Sequence, residues 1–362
     1  MKKKCAFLVV ALDSGGLENY LLRFLTHQKD KIDATVYCKA GYIGELEQEY
    51  QKIGVKLKAF SFDYFNLLHF YNLYEDFKRN NYDSVCDFTG NIAAFPLLIA
   101  KTLKVNKRIV FYRGSENRFR KSVLKNFVNS FFNKLVRKVS TTVLANSKHG
   151  LIFFHPVISQ NNDNFKVIYN GIDANLFLSS NVDLREKLNI PTDAYVVGHI
   201  GRFNPSKNHK TIMKVALNLC QNHENIYFIL CGKGVDLNLK DLVHENSLNH
   251  RIKLLGMQRN IIEVLNTLDC FYFPSTTEGQ PNALIEAMVS GVPFVASNIA
   301  PIKETVPTSY YEQLLNPFDE IAAQEKILSI RTKGIKRDQI LKTEVSNLFE
   351  PNKWFNNFFT EL

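Results

Sequence analysis

The stretch PSTTEGQPNALIEAMVSGVPFVASNIAPIKETVP, residues 274–307, is the part of the chain that decides its predicted fold. The apolar run Cys270–Phe273 comes directly before it and predicts a short buried strand. Pro281 has the fixed φ that suits a first helical position, and Gly291 ends the helical pattern. Residues 292–296 predict the next strand. This order of strand, loop, helix and strand is typical of doubly wound α/β sheets, which bind ligands at the carboxyl ends of their strands.

The polar residues of this stretch are placed to bind a ligand. Glu278 lies in the loop, while Asn282 and Glu286 are four apart on the helix and therefore share a face. Unpaired amides at the start of the helix, with the positive end of its dipole, suit an anion or a sugar hydroxyl. Two glutamates on a solvated helix would have no function, but four apolar neighbours predict that this helix is largely buried: Ala283, Leu284, Ala287 and Met288. A buried glutamate needs partners, which favours a functional interpretation.

The spacing of Glu278 and Glu286 within EGQPNALIEAMVSGVPFVAS resembles the nucleotide-sugar signature of glycosyltransferase family 4. The resemblance extends over nearly the whole chain, and it implies a retaining enzyme with the GT-B fold. That fold consists of two Rossmann-like, doubly wound parallel-sheet α/β domains that face a central cleft. The implied division is an acceptor-binding domain over 1–170, a nucleotide-sugar-binding domain over 171–349, and a helix over 350–362 that crosses back to the first domain.

A second motif, GRFNPSKNH, follows the predicted strand 195–200. Arg202 and Lys207 flank a bend made by Asn204 and Pro205, so both cations can face one point. Arginine offers a fork of donors and lysine a point charge, a combination that suits a diphosphate. Two cations in a loop are common, but in the family a G-R-x4-K pattern of this spacing holds the donor diphosphate.

The resemblance implies a complete donor site and a division of roles within it. Catalytic roles fall to Arg202 and Lys207, which would neutralise the leaving diphosphate, and to Glu278, which would hold hydroxyls of the sugar. Glu286 would accept hydrogen bonds from the ribose. The predicted donor-binding residues are Gly15, Gly16, Arg202, Lys207, Gly232, Met257, Glu278, Gly279, Gln280, Pro281, Asn282, Ala283, Leu284 and Glu286. For the glycines at 15, 16 and 232, an ordinary tight turn is the alternative interpretation.

The acceptor side is less well marked. After the predicted strand 108–111 comes the turn 112–117, where many family members carry a histidine that contacts the transferred sugar or the acceptor. No histidine stands at this turn. Arg113 and Glu116 are the candidates to replace it, and the alternative is that both are ordinary loop charges.

Charge is distributed unevenly along the chain, which has a formal net charge of +10. The positive excess lies in residues 1–180, and segment 118–138 has no acidic residue. Its basic residues are Arg118, Arg120, Lys121, Lys125, Lys134, Arg137 and Lys138. Apolar residues alternate with them at helical spacing, which fits either contact with an anionic membrane surface or a core-packed helix with a solvated basic face. We expect no nucleic-acid partner, because no groove-reading motif accompanies the charge.

Several classes of site and segment are excluded or disfavoured by the sequence. No Asp-x-Asp motif occurs, so we expect no metal ion and no cofactor. Six scattered cysteines without a C-x-x-C motif predict buried thiols rather than disulfides or a metal site. No apolar run reaches the length of a membrane span. The start MKKKCAFLVVALDSGG fits a first strand that enters a loop better than a signal peptide.

The predicted function is that of a hexosyltransferase-type glycosyltransferase. It would move a sugar, with retention and without a metal, from a nucleoside-diphosphate donor (UDP-sugar in first place) to a glycan acceptor. In the front-face mechanism usually assigned to the family, the leaving phosphate deprotonates the acceptor. The expected acceptor is polyprenyl-diphosphate-linked, and the expected setting is bacterial capsule, O-antigen or exopolysaccharide assembly at the cytoplasmic face of the plasma membrane, with the enzyme peripheral. The alternatives are another GT-B enzyme, such as a nucleotide-sugar 2-epimerase, or a catalytically silent GT-B interaction protein.

Overall fold

The chain divides into two compact α/β units. A computed structural model describes residues 1–13, 15–61, 66–114, 123–156, 163–178, 182–258 and 260–362, with only the backbone described over 123–127. Unit 1 comprises Met1–Gly171 and Pro351–Leu362, and unit 2 comprises Ile172–Glu350. Every strand pair of the described residues is parallel. The predicted class, α/β with two parallel sheets, is therefore confirmed.

Unit 1 is built on a seven-stranded sheet. Its described strands are β1 (Lys3–Val9), β2 (Ile32–Cys38), β3 (Lys56–Ala59), β4 (Ser84–Asp87), β5 (Lys107–Tyr112), β6 (Thr142–Ala145) and β7 (Phe165–Val167). The helices between them are α1 (Gly16–His27), α2 (Glu47–Lys52), α3 (Leu67–Asn80), α4 (Ala94–Thr102), α5 (Val123–Val139) and α6 (Lys148–Phe154). The spatial order of the strands is β3-β2-β1-β4-β5-β6-β7.

The first strand shows why the apolar runs of this sequence form a sheet that is covered on both faces. All side chains from Cys5 to Val9 are buried. Phe7 packs on one face against Phe24 of α1, with ring centroids 6.3 Å apart. Leu8 belongs to the core cluster on the opposite face, under α3 and α4. A strand that is buried on both faces has to be apolar throughout rather than alternating, as is usual in parallel sheets.

Unit 2 is built on a six-stranded sheet. Its described strands are β8 (Tyr195–Ile200), β9 (Ile226–Cys231), β10 (Ile252–Gly256), β11 (Cys270–Phe273), β12 (Phe294–Ser297) and β13 (Leu314–Leu315). The helices are α7 (His209–Asn222), α8 (Val235–Glu245), α9 (Ile261–Thr267), α10 (Asn282–Val289), α11 (Ala300–Thr305), α12 (Glu320–Lys333) and α13 (Gln339–Leu348). The strand order is β10-β9-β8-β11-β12-β13, so the loops after β8, β9, β10 and β11 lie side by side at one edge.

The last helix, α14 (Pro351–Glu361), belongs to unit 1 although it follows unit 2 in the chain. Phe355 and Phe358 enter the same core cluster as Phe24 of α1. The ring centroids of Phe358 and Phe24 are 4.5 Å apart. The helical spacing of aromatic residues at the end of the sequence therefore reflects their packing in the core of unit 1.

The described part of α5 packs its apolar side chains into the core of unit 1. Val136 and Val139 are buried, and the ring of Phe132 lies 5.4 Å from that of Phe95 in α4. Phe131 is 56% exposed. Over these residues the core-packed interpretation holds, with the basic side chains on the outer face. Of the basic residues predicted to contact a membrane, Arg118, Arg120 and Lys121 lie outside the described residues, and the side chain of Lys125 is not described.

The cysteine side chains and the apolar character of the helices bear on two expectations from the sequence. All six cysteines are buried free thiols, which confirms the interpretation of the cysteine pattern. Among the described residues, no helix combines the length and apolar character that a membrane crossing requires.

Candidate donor site at the sheet edge of unit 2

The loop between β8 and α7 is held in place by its own polar side chains. The Asn204 side-chain oxygen accepts a hydrogen bond from the Ser206 amide at 2.8 Å, which caps the short 3-10 turn of residues 205–207. Asn208 adopts a left-handed conformation with φ of 56°. Its side-chain amide donates to the carbonyl oxygens of Pro274 at 3.2 Å and Pro317 at 2.7 Å. Asn208 therefore ties this loop to the end of β11 and to the loop after β13, which positions the neighbouring lysine.

Lys207 and Glu278 meet at this edge. The Lys207 ammonium group donates to Glu278 Oε1, and the two side chains are only 19% and 10% exposed. The Lys207 nitrogen also lies 4.9 Å from the centroid of the Phe273 ring. The Thr276 amide donates to the Ser206 carbonyl at 2.8 Å, so backbone contacts join the same two loops. The structure thus brings together a cation and a carboxylate that were predicted as donor-site residues from two separate motifs.

Arg202 occupies a different position in the same loop. Its side chain is exposed, and it makes no hydrogen bond or ion pair with any residue that the structure describes. The two cations of the G-R-x4-K motif therefore differ in the ligand-free site: Lys207 is paired, whereas Arg202 is free to meet an incoming anion.

Gly232 allows the loops after β8 and β9 to approach closely. Its φ is +151°, and a Cβ atom at this position would lie 2.1 Å from the carbonyl oxygen of Gly201. The Gly232 amide donates to the Gly256 carbonyl at 2.6 Å, which joins the loop after β10 as well. A side chain at 232 would force these loops apart. Met257, which follows Gly256 in the chain, is 47% exposed at the same edge.

Helix α10 begins at this edge with Pro281 as its N-cap residue. The helix therefore starts one residue later than predicted. Gly279 and Gln280 of the preceding loop are buried. Glu286 is half-buried one turn into the helix, on the same face as Asn282, while Leu284 and Ala287 are buried. Helix α10 is therefore largely buried, as the sequence predicted. Its polar residues Asn282 and Glu286 follow Glu278 closely in the sequence and lie at the same sheet edge.

Two histidines to which no sequence motif assigned a role lie beneath the loop between β8 and α7. His199 of β8 and His209 at the start of α7 are both buried, with ring centroids 5.2 Å apart at an interplanar angle of 85°. His199 Nδ1 lies 3.0 Å from the Tyr272 carbonyl oxygen, which can only accept, so the proton of the neutral ring is on Nδ1. Burial holds the pKa of His199 well below its ordinary value and lowers the pKa of His209 to about 4. Both rings are therefore neutral at pH 7.

In unit 1, the glycine-rich turn lies at the start of α1. The Gly15 carbonyl accepts from the side-chain amide of Asn19 at 2.9 Å, and Gly16 is the first helical residue. A Cβ atom at Gly15 would lie 2.4 Å from a carboxylate oxygen of Glu18, the flexible end of that side chain, which would have to move aside. The predicted role of both glycines in donor binding stays a prediction.

Arg113 follows β5 at the carboxyl edge of the unit 1 sheet. One of its terminal nitrogens donates to the Asn170 side-chain oxygen at 2.5 Å. Its guanidinium carbon lies 3.8 Å from the centroid of the Tyr20 ring. Glu116, the other acceptor-side candidate, lies outside the described residues.

A buried ion pair at the same edge was not found from the sequence. The Lys39 ammonium group, after β2, donates to Asp87 Oδ2 at 2.7 Å and to Thr89 Oγ1 at 2.6 Å. Both charged side chains are almost fully buried, at 6% and 0% exposed. The two residues are 48 apart in the chain, and no sequence pattern distinguishes either of them from an ordinary charged residue at the end of a strand.

The described residues contain no group of three or more histidine, cysteine, aspartate or glutamate side chains that could hold a metal ion. The groups assembled at the unit 2 edge are instead the amides at the start of α10, Arg202, Lys207 and the two glutamates. Such a set can bind an anion next to a polyhydroxyl group.

Comparison with known proteins defines the class of this chain. The structure of Anabaena HepE in complex with UDP and glucose superposes with a TM-score of 0.82 at 21% identity, over 99% of this chain and 98% of HepE. Two parallel α/β units with such neighbours define the GT-B fold. Residues 181–344 match the family model for glycosyl transferases group 1.

Curated relatives agree with this class. CapH of Staphylococcus aureus, a capsular polysaccharide biosynthesis glycosyltransferase, is 26% identical over 94% of this chain and 93% of CapH. An Escherichia coli protein named UDP-Gal:alpha-D-GlcNAc-diphosphoundecaprenol alpha-1,3-galactosyltransferase is 32% identical over 37% of this chain and 36% of that protein. The chain spans 44% to 64% of the length of three other curated relatives that it matches. The chain therefore has the GT-B fold, and its residues 181–344 match the family of glycosyl transferases group 1.

Proposed function

We propose that this protein transfers a sugar from a nucleoside-diphosphate donor, UDP-sugar in first place, to a lipid-linked glycan in the synthesis of a bacterial capsule or O-antigen. The observation that carries the proposal is the contact between Lys207 and Glu278 at the sheet edge of unit 2. It joins the G-R-x4-K loop to the loop that opens α10. The relatives in capsule and O-antigen synthesis support the setting.

In the proposed site, the donor diphosphate replaces Glu278 as the partner of Lys207 and also contacts the exposed Arg202. Two cations and the first amides of α10 then neutralise the charge that builds on the leaving diphosphate, as electrostatic catalysis requires. Glu286 accepts hydrogen bonds from the ribose, and Glu278, released from Lys207, accepts them from the sugar. These residues provide the neutralisation that a metal ion would otherwise supply, so we propose a metal-independent reaction.

We propose that the transfer retains the anomeric configuration. The acceptor oxygen forms a bond to the anomeric carbon on the face from which the diphosphate departs, and the bond between that carbon and the phosphate oxygen breaks. The acceptor proton passes to the leaving phosphate oxygen. No protein base is needed in this step, and the family resemblance together with the paired site supports it.

The names of the similar proteins support UDP and a lipid diphosphate as the chemistry of the two substrates. HepE was solved with UDP, and the galactosyltransferase relative is named for a UDP-sugar donor and a diphosphoundecaprenol acceptor. We therefore propose a polyprenyl-diphosphate-linked acceptor, bound on the side of Arg113.

We propose further that the protein lies on the cytoplasmic face of the plasma membrane. Between residues 88 and 162 the sequence has thirteen lysines and arginines and one acidic residue, Glu116. In the described part of α5, Lys134, Arg137 and Lys138 are exposed on the face opposite the core. A basic surface of this kind is attracted to anionic lipid headgroups.

A thermal shift experiment tests the donor site. We expect UDP to raise the melting temperature of the protein more than GDP, ADP or CMP do, with or without EDTA, because a ligand of the folded state stabilises it. Lys207→Ala and Glu286→Ala should each lose most of this rise. Lys210→Ala, an exposed lysine in the first turn of α7, is the matched control and should keep it.

The outcomes separate the three candidate functions. No shift with any nucleotide, or an unchanged shift in Lys207→Ala, contradicts the proposal. Conversion of the donor sugar in the absence of acceptor would identify a nucleotide-sugar 2-epimerase instead. Nucleotide binding without turnover of any donor would identify a catalytically silent protein.

A further inference from the structure

Arg113 and Tyr20 lie together at the carboxyl edge of the unit 1 sheet, where ligands of parallel α/β sheets bind. Arg113 directly follows β5, and Tyr20 lies on α1, which follows β1. Asn170, which contacts the guanidinium group, follows β7. Three separate elements therefore converge on one arginine side chain.

The guanidinium group of Arg113 is held in a defined orientation. Its Nη2 donates to Asn170 Oδ1 at 2.5 Å, and its Cζ lies 3.8 Å from the Tyr20 ring centroid and 5.0 Å from that of Phe111. The backbone is held as well, since the Asn146 side-chain amide donates to the Arg113 carbonyl at 3.4 Å. Such preorganisation lowers the entropic cost of binding a ligand.

The remaining donors of this cluster have no partner among the residues that the structure describes. Arg113 Nε and Nη1 are shielded from solvent and make no hydrogen bond of normal geometry. The same is true of the hydroxyl of Tyr20, a fully buried side chain that lies close to the guanidinium group. None of the salt bridges between described residues includes Arg113. Buried donors without partners are rare in folded proteins, because each has lost its hydrogen bonds to water without a replacement.

The charges around Arg113 favour an anion. Burial lowers the pKa of Arg113 to about 10, so it still carries its charge at neutral pH. Arg23 is a second cation near it, and Glu18 is the nearby carboxylate. A cluster with an excess of positive charge and unused N–H and O–H donors suits an oxyanion with several acceptor lone pairs.

We propose that Arg113 and Tyr20 bind an oxyanion, a phosphate or carboxylate, that belongs to the acceptor or to an acidic sugar. This inference rests on the proposed function, because it assigns the anion to a substrate of the same reaction. It gives a chemical reason for an arginine at the turn where many family members carry a histidine.

The test uses thermal shifts of the protein saturated with UDP, so that the donor site in unit 2 is filled. At constant ionic strength, we expect diphosphate, phosphate or glucuronate to raise the melting temperature further, while sodium chloride and glucose do not. Arg113→Met should lower the affinity for the anion at least tenfold. Arg79→Met, at an exposed arginine of α3 in the same unit, should leave it unchanged.

Tyr20→Phe keeps the test decisive if Arg113→Met folds poorly. It removes a buried hydroxyl that has no partner, so the unliganded protein should be as stable as the wild type or more so, while its response to the anion should weaken. A stronger response to phosphate or diphosphate assigns the anion to a phosphate-bearing acceptor, and a stronger response to glucuronate assigns it to an acidic sugar.

The proposal is overturned if no oxyanion stabilises the UDP-saturated protein, or if Arg113→Met and Tyr20→Phe respond as the wild type does. Two separate titrations of Lys207→Ala, one with UDP and one with the anion in the absence of UDP, separate the two proposals. If this variant loses the UDP shift but still responds to the anion, the anion binds outside the donor site of unit 2. If it loses the response to the anion as well, the anion binds at the donor site and the proposal for Arg113 fails.

Discussion

At the scale of single residues, the ion pair of Lys207 and Glu278 holds both side chains in place in the ligand-free site. The pair is largely buried, so losing one partner without a replacement would be unfavourable, whereas exchanging Glu278 for another anion keeps the lysine paired. A diphosphate carries more negative charge than one carboxylate and can displace it from the lysine. Under the proposed function, one exchange would place the cation on the phosphate and free the carboxylate for the sugar.

The buried histidines are a second feature at this scale. His199 and His209 support the loop that carries Lys207, and both rings are neutral because burial disfavours their charged form. His155 in unit 1 is in the same state, with a pKa lowered by burial to about 4. Protonating these rings inside the fold is unfavourable, whereas the unfolded chain protonates its histidines near pH 6.5.

We therefore expect the stability of the protein to fall as the pH decreases from about 6.5 to about 4. In this range the unfolded state binds more protons than the folded state, so acid favours unfolding. For His209, with a pKa of about 4 in the fold, the effect amounts to about 3 kcal/mol at the acid end. Urea unfolding at a series of pH values measures it.

His209→Gln should show a shallower decrease than the wild type over the same pH range. His250→Gln, at an exposed position of unit 2, is the control and should follow the wild-type curve. Parallel curves for all three proteins would show that His209 does not take up a proton on unfolding.

At the scale of elements, α14 is the helix whose place depends most on tertiary packing. Its Phe355 and Phe358 complete the aromatic core of unit 1, more than 300 residues after Phe7 and Phe24 in the chain. Lys166 in β7 forms an ion pair with Glu361 at 2.7 Å, which ties the end of the helix to this strand. Unit 1 therefore cannot complete its core until the last part of the chain is present.

Phe358→Ala should destabilise unit 1 by about 3–5 kcal/mol, because it leaves a cavity among rings that are close-packed. Phe131→Ala, at a 56% exposed position of the same unit, should change stability by no more than about 0.5 kcal/mol. Trp354 is the one tryptophan of the chain and packs on Tyr169 in unit 1, with ring centroids 4.8 Å apart. Its fluorescence during urea unfolding reports this unit, and equal midpoints for the two variants would contradict the assignment.

At the scale of the whole molecule, charge is the property that distinguishes the two units. The net charge of +10 comes from the first half of the sequence, and the acid-poor region between residues 88 and 162 lies entirely in unit 1. In the described part of α5, the apolar side chains pack into the core of unit 1, so only the basic face of the helix is available to contact a membrane. We expect such binding to be electrostatic and to weaken with salt.

Flotation with vesicles tests this expectation. The protein should bind vesicles that contain phosphatidylglycerol and should not bind pure phosphatidylcholine. Because each basic residue near an anionic surface contributes about 1 kcal/mol, Arg137→Glu with Lys138→Glu should weaken binding at least about tenfold. Lys240→Glu with Lys336→Glu makes the same change of charge at exposed positions of unit 2 and should have little effect. Equal loss in both variants would mean that net charge alone, rather than this face, governs binding.

The sequence by itself determined the class of the protein and most of its elements. β8 and β11 have the predicted bounds, and the predicted strands 108–111 and 292–296 differ from β5 and β12 by one or two residues at their ends. These features could be predicted because apolar runs, prolines and glycines act on neighbouring residues, and because the two motifs of unit 2 are short and local. The family resemblance is confirmed by the match over residues 181–344.

Only the tertiary structure decided which of these residues meet. Lys207 and Glu278 are 71 residues apart, and Lys39 and Asp87 are 48 apart, so their contacts depend on the order of strands in the two sheets. The pairing of His199 with His209 and the unpartnered donors of Arg113 likewise have no local pattern. Local propensity specifies an element, whereas burial and charge pairing at a sheet edge arise only when distant strands lie side by side.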